Sequence, residues 1–168
     1  MNNLILVNII RFVSLLLIQV LILNHVNLFG FINPMIYIIW VFLFPLRKNK
    51  TLFLILSFLL GLSVDFFSDS GGINAAATLF IAYYRLPILK AIINKSDIDY
   101  LLFNLRGISF GKAFTFILTL TFIHHFIIYS LEYFSFSSVS TILSNTFSTG
   151  IFTIIISILG IVLFSKKK

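Results

Sequence analysis

A chain of 168 residues that is 60% hydrophobic and 10% charged, with a mean hydropathy of +1.10, has too little polar surface to enclose a soluble domain and reads as an integral membrane protein. At about 20 apolar residues per span across a hydrocarbon core of about 30 Å, it has room for about six helices in a single domain and for no sizeable soluble one. The net charge of +7 is read through its distribution along the chain rather than as a nucleic-acid surface, and the absence of cysteine excludes disulfides, thiolate chemistry and Cys-based metal sites.

The expected fold is all-α: one transmembrane domain, residues 1–168, with spans at about 4–23, 31–46, 51–67, 72–93, 112–134 and 142–164. In the first span Asn8, Arg11 and Gln19 fall on one side, which should face protein. Arg11 either extends to the cytoplasmic interface or pairs with Asp65. The second run holds Pro34 and Pro45 with ten residues between them, roughly 15 Å of ideal helix, which cannot cross a bilayer alone. It is expected to cross by non-helical or kinked backbone before Pro34, sheltered by neighbouring helices because lipid cannot satisfy it.

The third and fourth spans flank Gly61-Leu62-Ser63-Val64-Asp65-Phe66-Phe67-Ser68-Asp69-Ser70-Gly71-Gly72-Ile73-Asn74, a turn holding two of the five acidic residues. Asp65 lies inside an apolar run, where an ionisable group needs a partner or water and marks a candidate site. Asp69 or Ser70 is expected to cap the next helix, with Gly71 and Gly72 supplying turn geometry. Gly72 and Ala76 are expected to allow close helix approach, and Asn74 to add an interhelical hydrogen bond. Further along, Pro87 should kink the fourth span. Residues 94–111 carry a narrow apolar stripe that suits a short interfacial helix.

On the fifth span His125, Tyr129 and Glu132 follow one face, a spacing for a polar track or for neutral groups held by Thr and Tyr partners. His124 and His125 make a poor metal site, because adjacent side chains on a helix diverge by about 100°. The sixth span repeats Asn145, Thr149, Thr153 and Ser157 at every fourth residue, a helix-packing face. With six spans, all twelve Lys and Arg residues lie in or beside cytoplasmic segments, both termini are cytoplasmic, and Asp65, Asp69 and Glu132 gather near the outer face.

These residues resemble MreD, the bacterial rod shape-determining membrane protein family. The most specific portion is Gly61-Leu62-Ser63-Val64-Asp65-Phe66-Phe67-Ser68 followed by Gly72-Ile73-Asn74-Ala75, similar to the family's G-L-x-x-D-x-x-S … G-x-[NH]-A segment. Gln19, Asn24, Pro34, Tyr37, Pro45 and His124-His125 with Leu131-Glu132 fall in an order found in one branch of it, whereas Ser70-Gly71-Gly72 lacks the proline frequent there. The resemblance implies a non-catalytic scaffold of the cell-elongation machinery in the bacterial inner membrane. Its implied partners are an MreC-type protein, MreB, a RodA-type glycosyltransferase and the elongation transpeptidase, with membrane lipid around it, no nucleic acid and no cofactor. Gly61, Asp65, Ser68, Asp69, Gly71, Gly72 and Asn74 form its candidate structural or partner site.

The family is similar in fold to the substrate-binding subunits of energy-coupling-factor vitamin transporters, which supplies the alternative function. Those subunits dock through an A-x-x-x-A arrangement on the first helix, and residues 4–23 contain neither Ala nor Gly. Catalysis is not expected, since Asp65 and Asp69 lie on one helix end and turn instead of converging from two helices, and no base accompanies the nearby serines.

Overall fold

The computed structural model describes residues 2–26, 32–46, 49–93, 108–134 and 138–164, with the side chains of 5–161 among them, and its described elements are helices. Five are long and apolar enough to cross a membrane: α1 (Asn2–Leu21), α3 (Lys50–Ser68), α4 (Ile73–Ile92), α5 (Phe110–Tyr133) and α6 (Val139–Phe164). A single 3-10 turn, Leu23–His25, follows α1. The expected interfacial helix within 94–107, the cations Arg47, Lys48, Lys95 and Arg106, and the three terminal lysines lie outside the described residues.

Between α1 and α3 stands α2 (Ile38–Leu43), six residues that make about 9 Å of helix. Its limits follow from the two prolines. Pro34 stands before the turn that opens it, and Phe44, preceding Pro45, takes the extended conformation that a following proline favours, φ −64° and ψ 139°. Every residue from 36 to 44 is buried, and Trp40 packs against Phe12, Phe44 and Phe53 at centroid distances of 5.5, 4.8 and 6.0 Å. The element is thus a plug at the middle of the bundle, against α1, α4 and α6.

A helix this short leaves most of its backbone groups without internal partners, and in an apolar surround each needs one. Side chains of the long helices supply them. From α1, Gln19 accepts the Ile36 N–H through Oε1 at 2.8 Å and donates to the Pro34 carbonyl through Nε2 at 3.2 Å. From α6, Thr153 Oγ1 accepts the Met35 N–H at 3.1 Å. At the other end Arg85 of α4, itself buried, donates through Nη2 to the Phe42 carbonyl at 3.1 Å and to that of Phe44. A cation at a helix C-terminus also complements the helix dipole.

The long helices pack as neighbours α3–α4, α4–α5 and α5–α6, with α1 against α3. The first is the least enclosed of the five, presenting Leu6, Ile9, Ile10, Leu17 and Leu21 outward. Outward apolar side chains cost nothing in lipid, and a set of polar side chains on α4, α5 and α6 turns inward: Asn74, Thr78, Thr121, His124, His125, Thr149, Thr153 and Ser157 are all buried. Pro87 lies within α4, two residues beyond Arg85.

Candidate functional site

The turn between α3 and α4 is held by the carboxylate of Asp65. Leaving α3, Asp69 adopts the left-handed conformation, φ 51°, and returns its N–H to the Asp65 carbonyl. Gly71 and Gly72 follow with φ of 64° and 94°, which glycine reaches without a Cβ clash. The chain thereby reverses so that the start of α4 faces the Asp65 side chain. Oδ1 accepts from the Asn74 N–H at 2.9 Å, Asn74 Nδ2 at 3.0 Å and Ser70 Oγ at 2.5 Å, while Oδ2 accepts from the Ala75 N–H at 2.7 Å.

The cap of α4 is therefore on the preceding helix. Asp69 and Ser70 do not supply it, against the sequence expectation: Asp69 is the C-cap of α3 and is exposed, and Ser70 donates to Asp65. The reason is geometric, since a carboxylate one turn back in α3 reaches two free N–H groups of α4 at once. Four charge-assisted hydrogen bonds and the positive end of a helix dipole offset the desolvation of the buried carboxylate. The arrangement also answers the alternative pairing with Arg11: both oxygens of Asp65 are engaged in the turn.

Gly61, one turn before Asp65 on the same face, lets the two backbones meet. A Cβ there would stand 2.5 Å from the Asn74 carbonyl oxygen and 2.6 Å from the Ala75 Cα. The close approach expected of Gly72 and Ala76 is made here instead. Gly72 has open space around it and Ala76 is exposed, because the turn directs the Asn74–Ala75 side of α4 towards α3.

From Asn74 a polar column descends into the bundle. Asn74 Oδ1 accepts from the Tyr37 hydroxyl at 2.8 Å, and the same hydroxyl lies 3.0 Å from His124 Nε2. Beside it, His125 Nδ1 donates to the Thr121 carbonyl at 2.9 Å, so Nε2 accepts from Thr153 Oγ1 at 3.1 Å. Thr153 in turn receives the Met35 N–H. Both histidines thus brace the plug at its Tyr37 end.

His125, Tyr129 and Glu132 are neighbours on α5, with 6.5 Å between the His125 and Tyr129 rings, but the side chains are not bonded to one another: His125 and Tyr129 reach across to Thr153 and Thr149 of α6. Tyr129 bonds Thr149 at 2.7 Å, and Glu132 is exposed. The face of Thr149, Thr153 and Ser157 is wholly internal, packed on α5 and the plug, while Asn145, half-buried, donates to the Tyr133 hydroxyl at 2.9 Å. Ser68 is exposed and accepts from Asn24, which accepts from Gln19, so the Asp65 end of α3 is tied to α1.

Above the column, at the Asp65 end, opens a polar cleft of about 610 Å³ whose walls include Tyr37, Ser70, Asn74, Tyr129 and Glu132. The roles of Gln19 and Arg85 in holding the plug are not legible from periodicity. Their signal was the two prolines, which demand side-chain partners for the backbone beside them, together with the few long polar side chains set inside apolar runs.

The chain matches no family model, no curated protein and no solved structure. The described residues form five long apolar helices around a buried short one, the make-up of a multi-pass membrane protein.

Proposed function

We propose that this chain is a non-catalytic scaffold of the bacterial cell-elongation machinery. In this reading it sits in the inner membrane as a six-span bundle of the kind found in energy-coupling-factor substrate-binding subunits. The segment around α2 is the second crossing and both termini are cytoplasmic. The observation that carries the reading is the engagement of residues on which the resemblance rests: Gly61, Asp65 and Asn74 are joined across the α3–α4 turn, with Ser70 bound into it. A segment built this way holds a shape. The partners are an MreC-type protein and, with it, MreB, a RodA-type glycosyltransferase and the elongation transpeptidase.

Lateral contact then falls to the outward apolar faces, of which that of α1 is the most open, since the small, polar face of α6 is already buried within the bundle. Co-purification of the intact chain from its native membrane in mild detergent, followed by mass spectrometry, tests the proposal. It is supported by stoichiometric recovery of cell-elongation proteins and by cell rounding on depletion. A second reading, a vitamin-type transporter subunit, draws on the cleft at the Asp65 end. Recovery of a stoichiometric vitamin whose uptake requires the chain, without elongation proteins, would replace the first reading by the second.

A further inference from the structure

The cleft at the Asp65 end is unlike the rest of the molecule in the balance of its polar groups. Its described walls contain Asp69 and Glu132 and no Lys, Arg or His. Both carboxylates face outward, and neither has a hydrogen-bond or ion-pair partner among the described residues. The donors nearby are engaged in the framework: both amide protons of Gln19 go to Asn24 and Pro34, both of Asn74 to Asp65 and Ser70, and the hydroxyl proton of Tyr37 to Asn74. One acceptor in the wall, Asn33 Oδ1, is enclosed without a partner. The cleft therefore carries two carboxylates with no cation in its described walls to balance them, in a volume of about 610 Å³ that lies within the range of sites for small organic ligands.

We propose that this cleft binds a small organic cation rich in N–H or O–H donors, of the polyamine, guanidinium or amino-sugar class, with Glu132 and Asp69 as its counter-charges. A cationic donor group gains a charge-assisted hydrogen bond at each carboxylate. An anionic ligand meets two like charges and no cation, which selects against phosphates and carboxylates. Tyr129 and Tyr133, on the same wall, are aromatic neighbours for a bound cation. The inference is independent of the scaffold reading, because a bundle that organises partners laterally leaves this end open.

Isothermal titration of the purified full-length chain in neutral detergent, at near-physiological salt, tests the site with spermidine, agmatine and glucosamine as probes and with inorganic phosphate and succinate for comparison. The expected result is saturable one-site binding of at least one cation. That affinity should be weakened at least tenfold by Glu132→Gln and also reduced by Asp69→Asn, with no binding of either anion. Both substitutions are isosteric and exposed, so unchanged melting of the two variants identifies a lost contact as local. Absence of saturable binding by all three cations overturns the proposal, as does an affinity indifferent to both substitutions or a preference for phosphate or succinate. A photo-cross-link from position 132 that traps a partner protein, with none of the three cations binding, assigns the cleft to a protein segment and overturns it equally.

Discussion

Tyr37 and His124 share one hydrogen bond, 3.0 Å from phenol oxygen to Nε2, and a third residue fixes its direction. Asn74 points Nδ2 at Asp65 and Ser70, so its Oδ1 is left to accept the only proton that Tyr37 has, at 2.8 Å. His124 must then be the donor to Tyr37, with its proton on Nε2. Through this sequence of constraints the carboxylate of the α3–α4 turn sets the tautomer of a histidine in the centre of the bundle.

Tyr37→Phe removes the hydroxyl and leaves Asn74 Oδ1 and His124 Nε2 without that partner in a buried site. The expected loss is about 1–3 kcal/mol, the range for an orphaned buried polar group. In a detergent melting experiment the variant should unfold at lower temperature than wild type. His124→Phe added to it should cost less than the two single changes summed, because the pair is already broken.

Gly61→Ala places a Cβ against backbone, 2.5 Å from the Asn74 oxygen, where no side chain can turn aside. Gly71→Ala meets open space and bears only the strain of φ 64°, about 1 kcal/mol. The melting temperature should therefore fall further for Gly61→Ala than for Gly71→Ala, and the order reversed would refute the close approach of α3 and α4.

Thr153 receives the Met35 N–H and donates to His125, so Thr153→Ser should keep both bonds and Thr153→Val neither. The valine variant is expected to melt early and to expose the plug to limited proteolysis near residue 35. Were valine tolerated and serine not, the methyl contact rather than the hydroxyl would be what α6 contributes.

Arg85→Leu should free the Phe42 and Phe44 carbonyls in an apolar surround, again about 1–3 kcal/mol for each. Arg85→Lys should recover part of the stability, since an ammonium offers donors but no planar fork. Detergent melting and protease resistance of the segment around residue 45 report both. Equal stability of the leucine variant and wild type would show that the plug does not need this donor.

The long helices were legible because each is an apolar run of the length a membrane demands, and the α2 region because two prolines confine it. What the sequence left open were the pairings that leap across the fold. Gln19 meets backbone 15 and 17 residues away, Arg85 meets carbonyls more than 40 residues back, and Thr153 meets Met35 across 118 residues. No local period records such contacts. The cap of α4 was misplaced for a related reason: Asp69 and Ser70 stand nearest to it in sequence, but the reversal of the chain at Gly71 and Gly72 brings Asp65 nearest in space. The α6 stripe was legible as a packing face, and only the neighbouring α5 side chains show that what it packs against is internal.

The central claim is that Asp65 acts as the cap joining α3 to α4, and the melting series of wild type, Asp65→Asn and Asp65→Leu in one detergent tests it most directly. All four donors around this side chain point at carboxylate oxygens, so asparagine, with one acceptor oxygen and an NH₂ facing a donor, keeps only part of the cap. The account predicts a graded order, wild type above Asp65→Asn above Asp65→Leu, with the leucine variant losing several hydrogen bonds at about 1–3 kcal/mol each. An Asp65→Leu protein that melts with wild type would contradict it, and would show that the α3–α4 turn does not need this carboxylate.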